Sequence, residues 1–439
     1  MAYVRIVAPV LYLLVNGLFV LKYGLRVGTV PGLAATAVYL AVAAFLLWLA
    51  GKYPWTGRKS LLGGNASLLA GKESLLAGKE SLLAGKESLL AGKESLLAEK
   101  ESLLEEKKSL LEEKKNRLKE EKRRRVIILG LILGLGVLFA AQLYIDPWRL
   151  NVDRWSAIHN FLSNLFQGVY PYSARTHLGG YGSPFPVWQL LHVPFYLLGD
   201  VGLSLFATYL FLLYALSKVQ GRGAALCAGV LLLCSPGFVY EALVRSDLVT
   251  NFMFVCAVLS LLVSRQKTLK ASGQLFGILI GLLLSTRLST GVVWFVLLLR
   301  PFLQLGLGRQ FRFLLVVSVV FALTFVPFAF WDGDMLFFFT YNPFVLQTRQ
   351  GSPLTLLLFL PMLVSLALTW GSSWQRLNFH VALSLLLLVV VTFVVNMSTT
   401  GTWDELFQSR YDITYFNMSL PFLCAAMSAG RCDGRVRVS

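Results

Sequence analysis

The stretch KEEKRRRVIILGLILGLGVLFAAQLYIDPWRLNVDRW, residues 119–155, decides the fold. Its middle, Val126–Ile145, is uncharged and close to the ~20 residues that cross a ~30 Å hydrocarbon core. The basic cluster Lys119–Arg125 directly before it marks a cytoplasmic flank. The apolar helix therefore leaves the cytoplasm, and Asp146 emerges on the outer face. Composition agrees: 56% of the 439 residues are hydrophobic, 14% are charged and mean hydropathy is +0.66, which is not the balance of a soluble globular protein. The net charge of +17 is scattered between apolar runs, as in positive-inside loops, so nucleic acid is not an expected partner.

Upstream, apolar runs at Ile6–Leu21 and Leu33–Leu49 make an N-terminal transmembrane hairpin, residues 1–50. Arg5 precedes the first run, and Lys22 and Arg26 follow it without a small-residue cleavage site, so it reads as a helix and not as a signal peptide. Residues 51–125 form a spacer on the cytoplasmic side. From Ser60 it repeats SLLAGKE every seven residues, but the two Leu are adjacent, which gives a narrow stripe and not a coiled-coil seam. Glycines such as Gly71, Gly78 and Gly85 each cost about 1 kcal/mol in a helix. A helix is accordingly expected from Ala98, where Gly lapses, and 60–125 is a candidate for self-association. Near-identical copies suggest a duplicated spacer.

Downstream, residues 126–439 carry further apolar runs near Val201–Leu216, Ala224–Tyr240, Thr250–Leu262, Leu275–Ser285, Gly291–Leu299, Phe313–Phe330, Leu354–Trp370, Val381–Val395 and Tyr415–Met427. Alternation puts the basic loops at Lys218, Arg265, Arg300 and Arg376, and the C-terminus, inside. Only the hairpin turn with Lys22 and Arg26 runs against this pattern, since it falls outside. The expected architecture is an all-α polytopic integral membrane protein of about twelve spans. The five Cys lie almost entirely in apolar spans without ligand spacing, so they suggest neither disulfides nor a metal site.

Outside the repeat, eleven acidic residues remain, and ten of them fall on the outer side. Acidic residues weigh little in setting topology, so this bias suggests a site assembled from outer loops, the longest being residues 146–200; solvation of those loops is the plainer alternative. Carboxylates, Arg and aromatics at a membrane surface suit transfer of a group from a lipid phosphate. Cations hold the phosphate, and a carboxylate takes the acceptor's proton.

The order of these features resembles the GT-C superfamily of polyprenyl-phosphate-sugar-dependent glycosyltransferases. The resemblance lies in the exit helix followed by Asp146 and Asp153, AIHNFLSNLFQGVYPY (157–172), YGSPFPVWQLLHVPFYLLGD (181–200), VRSDLVTNF (244–252) and LLLSTRLSTGVVW (282–294). It covers about Val126–Met427. Spacing to Gly168 and Tyr172 makes Asp153 resemble the catalytic base of the mannosyltransferase members. The sequence shows no adjacent Asp-Glu pair in the first loop and no WWDYG-like motif, and a soluble C-terminal domain is not expected from it, which disfavours protein N-glycosylation.

The resemblance implies Asp153 as base, with Asp146 the competing choice. Residue by residue a plainer role stands beside each. Asp153 pairs with Arg149, or it is the base; Asp146 caps the helix exit, or it is catalytic or binds metal. Arg245 and Asp247 head a helix and are candidate substrate contacts, Asp247 being alternatively an N-cap. Arg287, at the tip of a short hairpin, suits phosphate. Arg410 is a lid or acceptor contact, or a solvated loop charge. Arg175 and His177 share the outer face and are candidate substrate contacts, His177 being a lone His unsuited to zinc, and Tyr172 is an interface anchor or a sugar platform. No cofactor is required, and a divalent metal ion is compatible. The implied partners are a polyprenyl-phosphate sugar donor, a glycan, lipid or protein acceptor, and membrane lipids, in a bacterial inner (plasma) membrane with the active-site loops outside. The rival classes are a transporter or lipid flippase, and a non-enzymatic scaffold using the heptads.

Overall fold

The structure is a computed structural model describing residues 2–26, 28–52, 87–407, 410–429 and 436. The heptad copies before Glu87, and Arg431, Cys432, Asp433, Arg435 and Arg437, lie outside the described residues. All regular elements among the described residues are helices; the one β-bridge, Arg175 to Tyr181, is isolated. Two compact units divide the chain: Met1–Trp55 with Leu131–Ser439, and Thr56–Gly130.

In the smaller unit the heptads are helical already from Glu87, with Gly92 inside the helix, earlier than the Gly-poor start at Ala98. Leu, Ala, Glu and Lys on either side are strong helix formers and outweigh a single Gly. Ion pairs at i,i+4, Glu113–Arg117 and Glu120–Arg124, line its surface. Leu103, Leu104, Leu110, Leu111 and Leu118 are exposed on it.

Among the described residues, five helices are long and apolar enough to cross a membrane: Tyr3–Leu25, Ser102–Tyr144, whose residues fall in both units, Val201–Gln220, Leu307–Phe337 and Trp374–Thr400. A sixth exists if Arg222–Leu233 and Pro236–Leu243 count as one span, and shorter apolar helices fill the rest. Large apolar side chains such as Phe311, Leu314, Leu323, Phe330, Leu356 and Leu357 are exposed, as expected where acyl chains are the solvent.

The N-terminal hairpin belongs to the larger unit and is not a separate body. Its helices, Ala2–Leu25 and Thr29–Lys52, touch at Gly24 and Gly32, where a Cβ on Gly32 would lie 2.6 Å from the Gly24 carbonyl carbon. Val4, Ala8, Tyr12, Val15 and Phe19 are buried in the main core. Asn16, fully buried, accepts from the Ser235 hydroxyl (2.5 Å) and the Gly237 N–H (3.2 Å). That contact explains a departure from the expected span Ala224–Tyr240. The chain bends there by 69°, because Ser235 caps a new helix beginning at Pro236 and Asn16 satisfies the freed polar groups.

Leu248–Ser264 is apolar on nearly all sides and forms the centre of the bundle. The expected span Tyr415–Met427 begins instead as a 3-10 turn, Ile413–Ser419, before the helix Leu420–Ser428. Asp412 caps that turn through the Thr414 N–H, which favours the tighter winding.

Candidate functional site: a charged cavity at the helix ends

The long loop is held down by its own aromatic core. Helix Arg154–Phe166 turns Trp155, Ile158, Phe161 and Leu162 inward against Tyr170, Tyr172, Phe185 and Trp188, and onto Phe325 and Phe328 of helix Leu307–Phe337. Past Tyr172, a tight turn at Gly179 (φ +83°) closes through Thr176 N–H to Gly180 O (2.8 Å), a conformation that favours glycine. The turn aims the Thr176 hydroxyl at Asp153 Oδ2, 2.9 Å away. The Ser183–Pro186 segment is tied to the break before Arg287 by Phe185 N–H to Thr286 O and Val187 N–H to Ser285 O. Gln347 bridges the same place, donating to Ser183 O and accepting from Leu288 N–H.

These ties surround a cavity of about 870 Å³ at the ends of the helices. It is lined by seven cations, Lys22, Arg26, Arg154, Arg175, Arg287, Arg349 and Arg410, and three carboxylates, Asp153, Asp247 and Asp412. Five residues of its wall, Ser183, Arg287, Leu346, Gln350 and Tyr415, also line a second, mostly apolar groove of about 510 Å³. The groove runs between Val292, Leu356, Phe359, Val389 and Phe393.

Asp153 faces the cavity. It makes no ion pair among the described residues, so the alternative of a bridge to Arg149 is not realised; Arg149 pairs with Asp146 (3.3 Å) on the exposed surface. Asp146 caps the turn Pro147–Arg149 through the Trp148 N–H and does not line the cavity.

Asp247 occupies an N-cap position, yet its side chain makes no capping bond. Its Oδ2 accepts from Trp188 Nε1 (2.7 Å) and Arg287 Nη2 (2.6 Å), and its Oδ1 is buried without a partner. Burial works against this carboxylate, but the charge of Arg287, and then of Arg154, outweighs it and holds the group below the usual carboxylate range.

Arg245 is a fastening. It lies outside the cavity wall, donates to the carbonyls of Gln142 and Ile145 at the end of helix Glu87–Tyr144, and pairs with Asp200 at 2.8 Å. Tyr172 is buried, with its hydroxyl on Pro184 O, and also lies off the cavity. His177 uses both ring nitrogens, on Ser156 Oγ and Leu150 O (2.7 Å each), which leaves it no free nitrogen for a substrate. Arg175 and Arg410 do line the cavity. The first donates to the Tyr181 hydroxyl, and the second pairs with Glu405.

Other members of the cavity wall were not singled out from the sequence. Arg154 bonds Asp412 (2.6 Å), the Thr414 hydroxyl (2.7 Å) and the Ser246 hydroxyl (3.0 Å), and lies 3.7 Å from the fully buried Glu241. Partial desolvation pushes the Asp412 carboxyl up, though its side chain is 44% exposed; Arg154, Thr414 and Lys22 outweigh that and hold the group below its ordinary value. Lys22, only 3% exposed, donates to Leu406 O and Tyr411 O. The one available signal was that Lys22 and Arg26 sat on the wrong side of the positive-inside pattern.

Among the described residues no group of three or more His, Cys, Asp or Glu side chains could hold a metal ion. Fold and site together define an all-helical protein with membrane-length apolar helices and a cationic cavity joined to an apolar groove. No protein-family model, curated protein or solved structure matches this chain.

Proposed function

We propose that this protein is a membrane glycosyltransferase that moves a sugar from a polyprenyl-phosphate donor to an acceptor at the extracytoplasmic face. The observation that carries the reading is the junction at Arg287. One guanidinium belongs both to a polar cavity and to an apolar groove, as a lipid phosphate with its tail in the groove requires. Asp153 then takes the proton of the acceptor hydroxyl. That oxygen bonds the anomeric carbon while the bond from carbon to the phosphate oxygen breaks. The leaving phosphate keeps the electron pair and gains a second negative charge, which Arg287 and its neighbours stabilise.

Mass spectrometry of envelope glycans and glycolipids tests this in cells carrying wild type, Asp153→Asn or no copy. The expected result is one sugar increment missing in the null strain and in Asp153→Asn at equal protein level. Unchanged glycans in the null strain, under conditions where the protein is made, would move the reading to a lipid transporter.

A further inference from the structure

We propose that the acceptor is an anionic saccharide, whose phosphate or carboxylate is held by Lys22 and Arg26 of the N-terminal hairpin. The inference rests on the transferase reading and asks what the remaining charge in the cavity is for. Asp247 answers Arg287, and Asp412 answers Arg154. Arg26 and Arg349 have no carboxylate partner among the described residues, Arg175 meets only Tyr181, and Lys22 hydrogen-bonds only backbone carbonyls, although its charge also acts on Asp412, which Arg154 already holds. A donor with one phosphodiester brings a single negative charge to the groove junction. Even with the unpaired Asp153 counted, the four cations Lys22, Arg26, Arg175 and Arg349 outnumber the negative charge left to meet them, and repulsion among them disfavours an empty or neutral-filled cavity.

Position separates the two anion sites. Arg287 and Gln350 line both cavity and groove, and Arg349 adjoins Gln350, so these belong to the donor side. Lys22, Tyr23, Arg26 and Tyr240 line the cavity and no part of the groove. There Arg26 lies over the Tyr23 ring (5.1 Å), which stacks on Tyr240 (4.7 Å, 29°). A cation beside paired aromatic faces in a water-accessible cavity suits a charged sugar ring, the ring packing on tyrosine and the anion on the guanidinium. Two cations at a hairpin turn expected to cross the membrane run against the insertion bias, and a substrate role supplies a reason for them.

The test is saturation-transfer NMR binding to the full-length protein in phosphatidylcholine nanodiscs. The probes are glucose 1-phosphate, glucuronate, uncharged glucose and undecaprenyl phosphate. Arg26 is exposed, so Arg26→Gln leaves the fold in place. At least one anionic sugar should bind about tenfold tighter than glucose, and Arg26→Gln should weaken it about tenfold while leaving undecaprenyl phosphate within about twofold. Which anionic sugar responds names the phosphate or the carboxylate. Equal binding of glucose, or indifference to Arg26→Gln, overturns the proposal. So does an equal loss of undecaprenyl phosphate in Arg26→Gln, which would place the donor's phosphate there. Arg287→Lys should weaken undecaprenyl phosphate alone; if it does not, the transferase reading fails while the Arg26 result stands separately.

Discussion

Arg287 donates to Asp247 over 2.6 Å, both side chains buried, in the wall that the charged cavity shares with the apolar groove. Either charge alone would be costly to bury; together they set a guanidinium in the wall shared by a polar cavity and an apolar groove.

Removing one partner of that pair should therefore be destabilising. Asp247→Ala leaves Arg287 uncompensated and strips Trp188 Nε1 of its acceptor, and is expected to cost roughly 3–5 kcal/mol. Thermal unfolding in detergent should show a clear fall, and an unchanged melting temperature would mean that the pair is solvated.

On the proposed transferase reading, the two carboxylates competing for the role of base should separate kinetically. Asp153→Asn keeps an oxygen for the Thr176 hydroxyl, so the fold should hold while sugar transfer falls by about 10²-fold or more. Asp146→Asn keeps its cap on Trp148 N–H and should change transfer by less than about threefold. A reconstituted transfer assay with melting curves decides; the reverse order would move the base to Asp146.

Acid should destabilise the protein in part through Asp412. Its folded pKa lies below the ordinary carboxylate value, so its contribution is complete above the unfolded pKa of about 3.9 and is lost as pH falls through the folded value. Melting temperature against pH should fall below about pH 4, and Asp412→Asn, less stable at pH 7, should flatten that fall. Parallel curves for the two proteins would count against the Arg154–Asp412 contact as the cause.

Packing of the hairpin should reach the cavity. A methyl group on Gly32 would lie 2.6 Å from backbone of Gly24 and Leu25, two of the three residues between Lys22 and Arg26, so Gly32→Ala must shift that turn. A loss of roughly 1–3 kcal/mol is expected in thermal unfolding, with lowered transfer. Full activity with an unchanged melting temperature would show the turn free to move without consequence.

The sequence alone settled the helical class. Runs of membrane length, without regular polar interruption, leave helix as the way to satisfy their backbone, and this is legible residue by residue in Val126–Ile145 or Phe313–Phe330. It also marked Asp153, Asp247, Arg287, Arg175 and Arg410, which line one cavity. It could not distinguish them from Arg245, Tyr172, His177 and Asp146, because polar residues in loops look alike until their partners are known. Arg245 is spent on the Gln142 and Ile145 carbonyls and His177 on Ser156 and Leu150, and those partners are set by how distant loops fold back on one another. The same holds for Arg154 and Asp412, separated by 258 positions and joined at 2.6 Å, and for Lys22, whose place beside Tyr411 depends on the hairpin docking at Asn16. Local pattern reports what a segment must bury, whereas a charged site depends on which ends meet, and only the packed bundle decided that.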